Sequence, residues 1–479
     1  ALAAAEQAID SAAPLMSLSV IARAQYLRAR AFFGLGHYER ALESLKSSRD
    51  ELVGLGDFSL AVRTQATFSC WLALHGHQAP AQEMLEQAHE LAKGYGGPGD
   101  LARIESAAAQ IAGLRGEVHA AKAHLLRAVA FYEELGDEQA VANAFNSLGA
   151  RALDVPELEE AQKYFSSALA KFESLQDRRR ARGARSNLAL IALLRGDVAS
   201  ASGQFRTLIE SSKGDPHGSG SAPLNLAKAQ FETGRLGEAM DLVEAALDTA
   251  RKSQSRPVLE DGQQTLARIH LHRGDLELAR LWFRKSAETG DAIGGPRLEL
   301  RALTNRVELL LAEGDAVGAE SIAREATRLA ARHSLGARGS TRLVAQALLH
   351  RGDVAQARQT LEGLETRGDD LETRRIGILE ARIRALTGDH KLAVQSLHEI
   401  SRWAKERGAW TIDTEANLAL VEAERPRQGP EWTRGRLTSI ETDSCGRSWA
   451  SYCRRAKQLA SGDDRGPGRG VSGLEAVME

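Results

Sequence analysis

An all-α solenoid of about ten stacked helical hairpins is the fold that this sequence predicts. Three observations predict it. Apolar residues recur at helical spacing, a turn residue returns at intervals close to forty, and small and large apolar positions keep one register with that turn.

Residues 136–177 show the unit most plainly. Val141, Phe145, Leu148 and Leu153 fall on one stripe of a first helix, with Gly149 inside the stripe where a neighbouring helix can come close. Pro156 then suits the first turn of a second helix. That helix carries Leu158, Ala161, Phe165, Ala168, Leu169 and Phe172 on one side. Glu157, Glu159 and Glu160 stand in its first turn, where the helix dipole favours negative charge.

The turn recurs at Gly36, Gly76, Gly116, Pro156, Gly196, Gly234, Gly274, Gly314, Gly352 and Gly388. Five residues later stands Ala41, Ala81, Ala121, Ala161, Ala201, Ala239, Ala279, Ala319, Ala357 or Ala393, without exception. Seven residues before the turn the side chain is small in every copy except Val307. Nine residues after it the side chain is large and apolar in every copy except Ala323. The small positions mark close helix crossings, and the large ones fill the space between hairpins. Asp197, Asp275, Asp315, Asp353 and Asp389 directly follow the turn glycine and can cap the second helix. One hairpin cannot bury its apolar side alone, whereas a stack can.

This pattern of small residue, turn, alanine and large apolar residue resembles the tetratricopeptide repeat family, with NSLGARAL and EEAQKYFSSAL as its best copy. The resemblance covers residues 1–424, with a period near 40 in place of the family's usual 34. It implies a right-handed superhelix whose first helices line a concave groove. Repeats of this longer style resemble those in bacterial signalling proteins: kinase tails, maltose-regulator-like ATPase activators and peptide-pheromone receptors. Carried over by register, the groove residues are Arg23, Arg30, Arg63, Arg103, Lys228, Arg268, Arg301, Arg375 and Arg382, with Asn146, Asn187, Asn225 and Asn305. Asparagine both donates to and accepts from a peptide main chain, and arginine pairs with carboxylates. The expected partner is therefore a protein or peptide, with acidic character. The expected role is that of a binding scaffold or regulatory region of a larger bacterial cytoplasmic signalling protein. The alternative is a sensor that changes superhelical pitch when an effector or short peptide binds.

Other features set the bounds. The net charge of −2 argues for neither nucleic acid nor membrane. No apolar run reaches the length of a membrane span. Three cysteines, with Cys445 and Cys453 lacking metal-ligand spacing, fit a reduced, cytoplasmic setting. No phosphate-binding loop, dinucleotide fingerprint, zinc-protease motif or nucleophile elbow occurs, so neither an enzyme nor a cofactor is expected. Arg-Gly-Asp at Arg195, Arg273 and Arg351 coincides with the turn, where Gly then Asp has a capping reason and adhesion is not needed to explain it. Residues 211–223, SSKGDPHGSGSAP, replace the first turns of a helix and predict a notch that acts as a hinge or pocket, or else a plain loop. Residues 425–460 read as degenerate capping helices, and 461–479 as a disordered tail. Ala1 stands forty residues before Ala41, so the chain is expected to open inside a repeat, as a fragment would.

Overall fold

The computed structural model describes residues 2–12, 18–34, 37–74, 77–213, 221–253, 255–364 and 368–461. The turn anchors Gly36 and Gly76, the middle of the 211–223 segment, and the tail after Ser461 lie outside these residues. Among the described residues all regular structure is helical. The helices are α1 (Leu2–Ala12), α2 (Leu18–Gly34), α3 (Tyr38–Gly54), α4 (Phe58–Leu74), α5 (Gln78–Tyr95), α6 (Pro98–Leu114), α7 (Val118–Glu134), α8 (Glu138–Asp154), α9 (Leu158–Ser174), α10 (Arg178–Leu194), α11 (Val198–Ser211) and α12 (Ala222–Glu232). They continue as α13 (Leu236–Lys252), α14 (Arg256–Arg273), α15 (Leu276–Ile293), α16 (Pro296–Glu313), α17 (Ala316–Arg332), α18 (Arg338–Arg351), α19 (Val354–Glu362), α20 (Leu371–Leu386), α21 (His390–Arg407), α22 (Trp410–Glu424), α23 (Pro430–Gly446) and α24 (Ala450–Ser461).

The repeat columns become the packing surfaces. All ten alanines five residues past the turn are 0% exposed, so each meets a helix with no room for a larger side chain. The large column is buried as well, from Leu45 to Leu397. The five aspartates after the turn glycine occupy N-cap positions, and Asp315 and Asp353 accept from the backbone N–H groups of Gly318 and Gln356 at 2.8 and 3.1 Å. Pro156 departs from expectation. It stands in the turn itself, as the glycines of other copies do, and α9 starts two residues later. Helix α12 is 11 residues long where most first helices have 17 or 18, in keeping with the broken segment before it.

The described chain divides into two compact units, residues 1–153 with 167–176, and residues 154–166 with 177–479. Unit 1 is a run of hairpins around Phe32, Phe33, Leu45, Phe68, Leu72 and Leu85, with Phe33 set edge-on to Phe68 at 5.5 Å.

Unit 2 does more than stack. Its late helices return to its early ones, and one core joins Ala189, Phe205 and Leu226 to Ile378, Leu397, Trp403 and Leu420. The contacts occur at turns. Gly196 and Gly234 have φ of +84° and +80°, which glycine alone adopts freely. The space that a Cβ would fill is taken by the ring of Trp403 at Gly196 and of Trp410 at Gly234. Trp449, between α23 and α24, is 0% exposed and donates from Nε1 to the Gly234 carbonyl at 2.9 Å. It stacks on Tyr452 at 5.0 Å and lies against Phe231, His272 and Trp410.

The C-terminal stretch thus packs on α22 through Leu437, Ala456 and Leu459, as a cap would, and also reaches back to Gly234. Helix α23 runs 17 residues, long for a short capping helix. That extra length brings Cys445 and Cys453 together across the turn, with Cα atoms 5.2 Å apart, and they form a disulfide. The expectation of unpaired thiols fails for these two, and with it one argument for a reducing setting. Cys70 stays a free thiol, pushed up to about 11 by burial.

The glycine contacts can be tested against an internal control. Gly196 and Gly352 share a φ of +84°, but only Gly196 would place a Cβ against a ring. Gly352→Ala should carry the left-handed penalty alone, about 1–2 kcal/mol. Gly196→Ala should lose a further ~1–3 kcal/mol from overpacking. Urea unfolding followed by tryptophan fluorescence measures both, and equal losses would contradict the packing described.

A charged cavity inside unit 2

The first helices of successive repeats turn one face inward. On α20, Arg375 and Arg382 are seven residues apart, as are Glu415 and Glu422 on α22 and Tyr452 and Leu459 on α24, the spacing of one helical stripe. With Gln264, Arg268 and His272 of α14, Asn305 and Glu308 of α16, and Arg342, Gln346 and His350 of α18, these side chains surround a cavity of about 1640 Å³. Leu271, Leu311, Leu343, Leu379 and Leu418 supply apolar wall between the charges.

Of the thirteen groove residues named from sequence, Arg268, Asn305, Arg375 and Arg382 line this cavity. Asn225 is buried in the same unit, and Asn187 is half-buried. Arg23, Arg30, Arg63 and Arg103 are exposed in unit 1, where Asn146 is half-buried. In unit 2 the cations named from sequence are engaged by carboxylates of the chain itself. Lys228 pairs with Asp261 at 2.6 Å, Arg301 with Glu260 at 2.6 Å, Arg268 with Glu308 at 3.5 Å and Arg382 with Glu422 at 2.9 Å. The physical reason is the repeat itself. Neighbouring first helices lie side by side, so a cation meets a carboxylate about one repeat away, 41 residues for Arg301 and Glu260 and 33 for Lys228 and Asp261. Asn305 accepts from Gln264 Nε2 at 3.0 Å, so its carbonyl is already engaged.

Of the groove cations named from sequence, Arg375 reaches farthest along the chain. It grips both oxygens of Glu232, at 2.9 and 3.0 Å, across 143 residues, and Thr411 Oγ1 also donates to Glu232. Burial works to raise the Glu232 carboxyl, but Arg375, Thr411 and Arg268 together hold it below the ordinary carboxylate range. Burial likewise opposes the Arg375 cation, and Glu232, Glu415 and Glu372 more than offset it. Glu372 and Glu422 are held low in the same way, against their burial, by Arg342 and Arg375 and by Arg382 and Arg455. Tyr452 donates to Glu415 at 2.6 Å, and burial followed by that carboxylate pushes its hydroxyl pKa well up. Burial, then the nearby arginines, lower His272 to about 3 and His350 to about 4, so both are neutral at pH 7.

Two buried polar atoms on the wall, His350 Nδ1 and Arg455 Nη1, make no hydrogen bond among the described residues, while Arg268 Nε and Glu308 Oε2 face only each other, as an ion pair at 3.5 Å. The sequence reading missed His350, Glu422, Tyr452 and Arg455. His350 and Glu422 were open to it, since each extends a first-helix stripe already recognised. Tyr452 and Arg455 lie beyond the repeat register and carry no such signal.

A family model described as the MalT-like TPR region matches residues 151–423, more than half of the chain. The chain belongs to this family. The tetratricopeptide repeat model also matches residues 22–46. The MalT-like TPR match ends inside α22, so Tyr452 and Arg455 on α24 stand outside it. Comparison with curated proteins finds no match. Among solved structures, the apo form of the quorum sensor NprR from B. thuringiensis is 13% identical, covering 74% of this chain and 98% of its own, with a TM-score of 0.44. A tetratricopeptide repeat protein from Parabacteroides merdae is 14% identical over 58% of this chain and 98% of its own, with a TM-score of 0.36. A signal transduction ATPase with numerous domains and a tetratricopeptide repeat sensor, from Pyrococcus horikoshii, is 16% identical over 67% of this chain and 51% of its own, with a TM-score of 0.37. With TM-scores below 0.5, these overlaps add nothing to the family assignment, which rests on the sequence match.

The two histidines give unit 2 a pH dependence of known sign. Their folded-state values of about 3 and about 4 lie below the ordinary 6.5, so between these limits the unfolded chain binds more protons. Stability is whole above pH 6.5 and is lost as the pH falls. The depressed carboxylates Glu232, Glu372 and Glu422 act in the same direction at lower pH. At pH 5 each histidine should cost about 2 kcal/mol. Replacing His272 and His350 together by Asn should flatten stability between pH 7 and 5, measured by urea unfolding. A wild-type stability that does not change over that range would contradict the burial of both rings.

Proposed function

We propose that this chain is a ligand-sensing regulatory region, and that the unit 2 cavity binds a short peptide. One observation carries the reading: first helices from successive repeats converge on a charged cavity in which buried polar atoms of His350 and Arg455 have no hydrogen-bond partner among the described residues. Unsatisfied buried polar atoms cost stability unless something pairs with them. The volume of about 1640 Å³ exceeds the 300–1,000 Å³ typical of drug-sized pockets, which favours an extended ligand. Gln264 and Gln346 offer amides that can both donate to and accept from a main chain, and the leucines between them can take side chains.

A ligand lying there touches α14, α16, α18, α20, α22 and α24 at once. It ties α14 to the late helices α20, α22 and α24, and so stabilises the return of the late helices onto the early ones. Signalling then consists of a change in how firmly unit 2 is closed. The work is binding, without a reaction: the carboxylates that could serve as acid or base are engaged with arginines or, for Glu415, with Tyr452. A cytoplasmic signalling protein is the setting we infer.

A second reading attaches to unit 1. Arg23, Arg63 and Arg103 recur on its first helices at intervals of forty and are exposed, which suits an acidic face on a protein partner. The two readings separate in one experiment. The full chain is incubated with a synthetic hexapeptide library, passed through gel filtration, and its retained peptides are read by mass spectrometry. A retained peptide at a hundredfold excess over its Kd should stabilise unit 2 by about 2.7 kcal/mol. It should also slow hydrogen exchange in α14, α20 and α24. Arg63→Glu with Arg103→Glu should leave retention intact. Loss of retention in that variant would move the site to unit 1.

A further inference from the structure

One corner of the cavity carries a positive charge in excess of its own partners. Glu422 accepts from two arginines: Arg382 Nε at 2.9 Å on one oxygen, and Arg455 Nε and Nη2 at 3.0 and 2.8 Å on the other. Two cations on one carboxylate leave one net positive charge. Arg268, Arg342 and Arg375, by contrast, each have a carboxylate of their own. The guanidinium of Arg455 spends Nε and Nη2 on Glu422, and its Nη1 is buried without a hydrogen-bond partner among the described residues. His350 lies within the field of Arg382, Arg455 and Glu422, and its Nδ1 is buried and unpartnered as well. The ring is neutral at pH 7, so it adds a donor without adding charge.

We infer that this corner, formed by Arg382, Glu422, Arg455 and His350, receives a single carboxylate of the ligand, with Arg455 Nη1 donating to it and His350 donating from Nδ1. The inference rests on the peptide reading above and narrows it. A carboxylate brings one negative charge and balances the corner. A phosphate monoester, at about −1.5 to −2, would overshoot and leave buried negative charge uncompensated. A cation would face two guanidiniums, and a neutral group would leave the excess charge unbalanced. In a peptide the carboxylate is either the C-terminus or an Asp or Glu side chain.

The test uses the full chain and the best hexapeptide retained from the library, with affinities from calorimetry. The peptide is compared as its free acid, as its C-terminal amide, and with each Asp or Glu replaced by Asn or Gln. One of these neutral forms should bind on the order of ten- to a hundredfold more weakly, and which one it is identifies the carboxylate. Arg455→Gln should abolish that discrimination while keeping residual affinity for the neutral form, and Arg455→Lys should keep part of it. Because the acid–neutral comparison is made on the unaltered protein, it decides the matter even if Arg455→Gln fails to fold. Equal binding of all forms would overturn the carboxylate corner and leave the peptide cavity standing. Stronger competition by inorganic phosphate than by acetate at equal concentration would overturn it in favour of a phosphate site. Retention of no peptide in any form would overturn the cavity reading, and the corner with it.

Discussion

Unit 2 closes because the backbone at Gly196 and Gly234 carries no side chain where an indole ring has to lie. Everything enclosed depends on that allowance. With Trp403 and Trp410 seated on the two turns, α20 and α22 come alongside α12, and Glu232 loses its water. A carboxylate in that position is costly unless paired, and the same approach supplies Arg375 and Thr411. Apolar closure and buried ion pair are therefore one event. Neither is explained by a simple pile of hairpins, in which each repeat touches only its neighbours.

Much of the fold was written in the sequence at the scale of one repeat. The alanine and large apolar columns marked the buried surfaces, and the aspartates marked the helix starts, because these constraints act within a hairpin or between adjacent ones. The charge pairs one repeat apart were legible by the same logic, since a first-helix arginine faces the corresponding position of the next copy, as Arg382 does Glu422. Contacts at longer range left no trace. Arg375 meets Glu232 across 143 residues and Trp449 meets Gly234 across 215, separations fixed by how far unit 2 turns per repeat. Single residues do not encode that angle. The C-terminal helices escaped for a related reason: outside the register, Arg455 and Tyr452 looked like ordinary residues of a cap.

The cavity gains its character from the same geometry. Stacked first helices neutralise one another along the wall, so charge alone would give a ligand little to hold. Asymmetry enters where α24 departs from the repeat pattern and adds a second arginine to a carboxylate already taken. The helix that completes the wall also follows directly on Trp449, the residue that fastens the return. Closing the unit and furnishing the site are thus tasks of one short segment.

An open solenoid can gain or lose a copy in evolution at modest cost, because each new hairpin needs only a neighbour on either side. Unit 2 lacks that freedom. Removing one hairpin between α12 and α22 would leave Trp403 and Trp410 short of the two turns they rest on, and inserting one would carry them past. Duplication and deletion of whole repeats, the usual way such proteins diversify, is confined here to hairpins outside the stretch that the returning tryptophans measure.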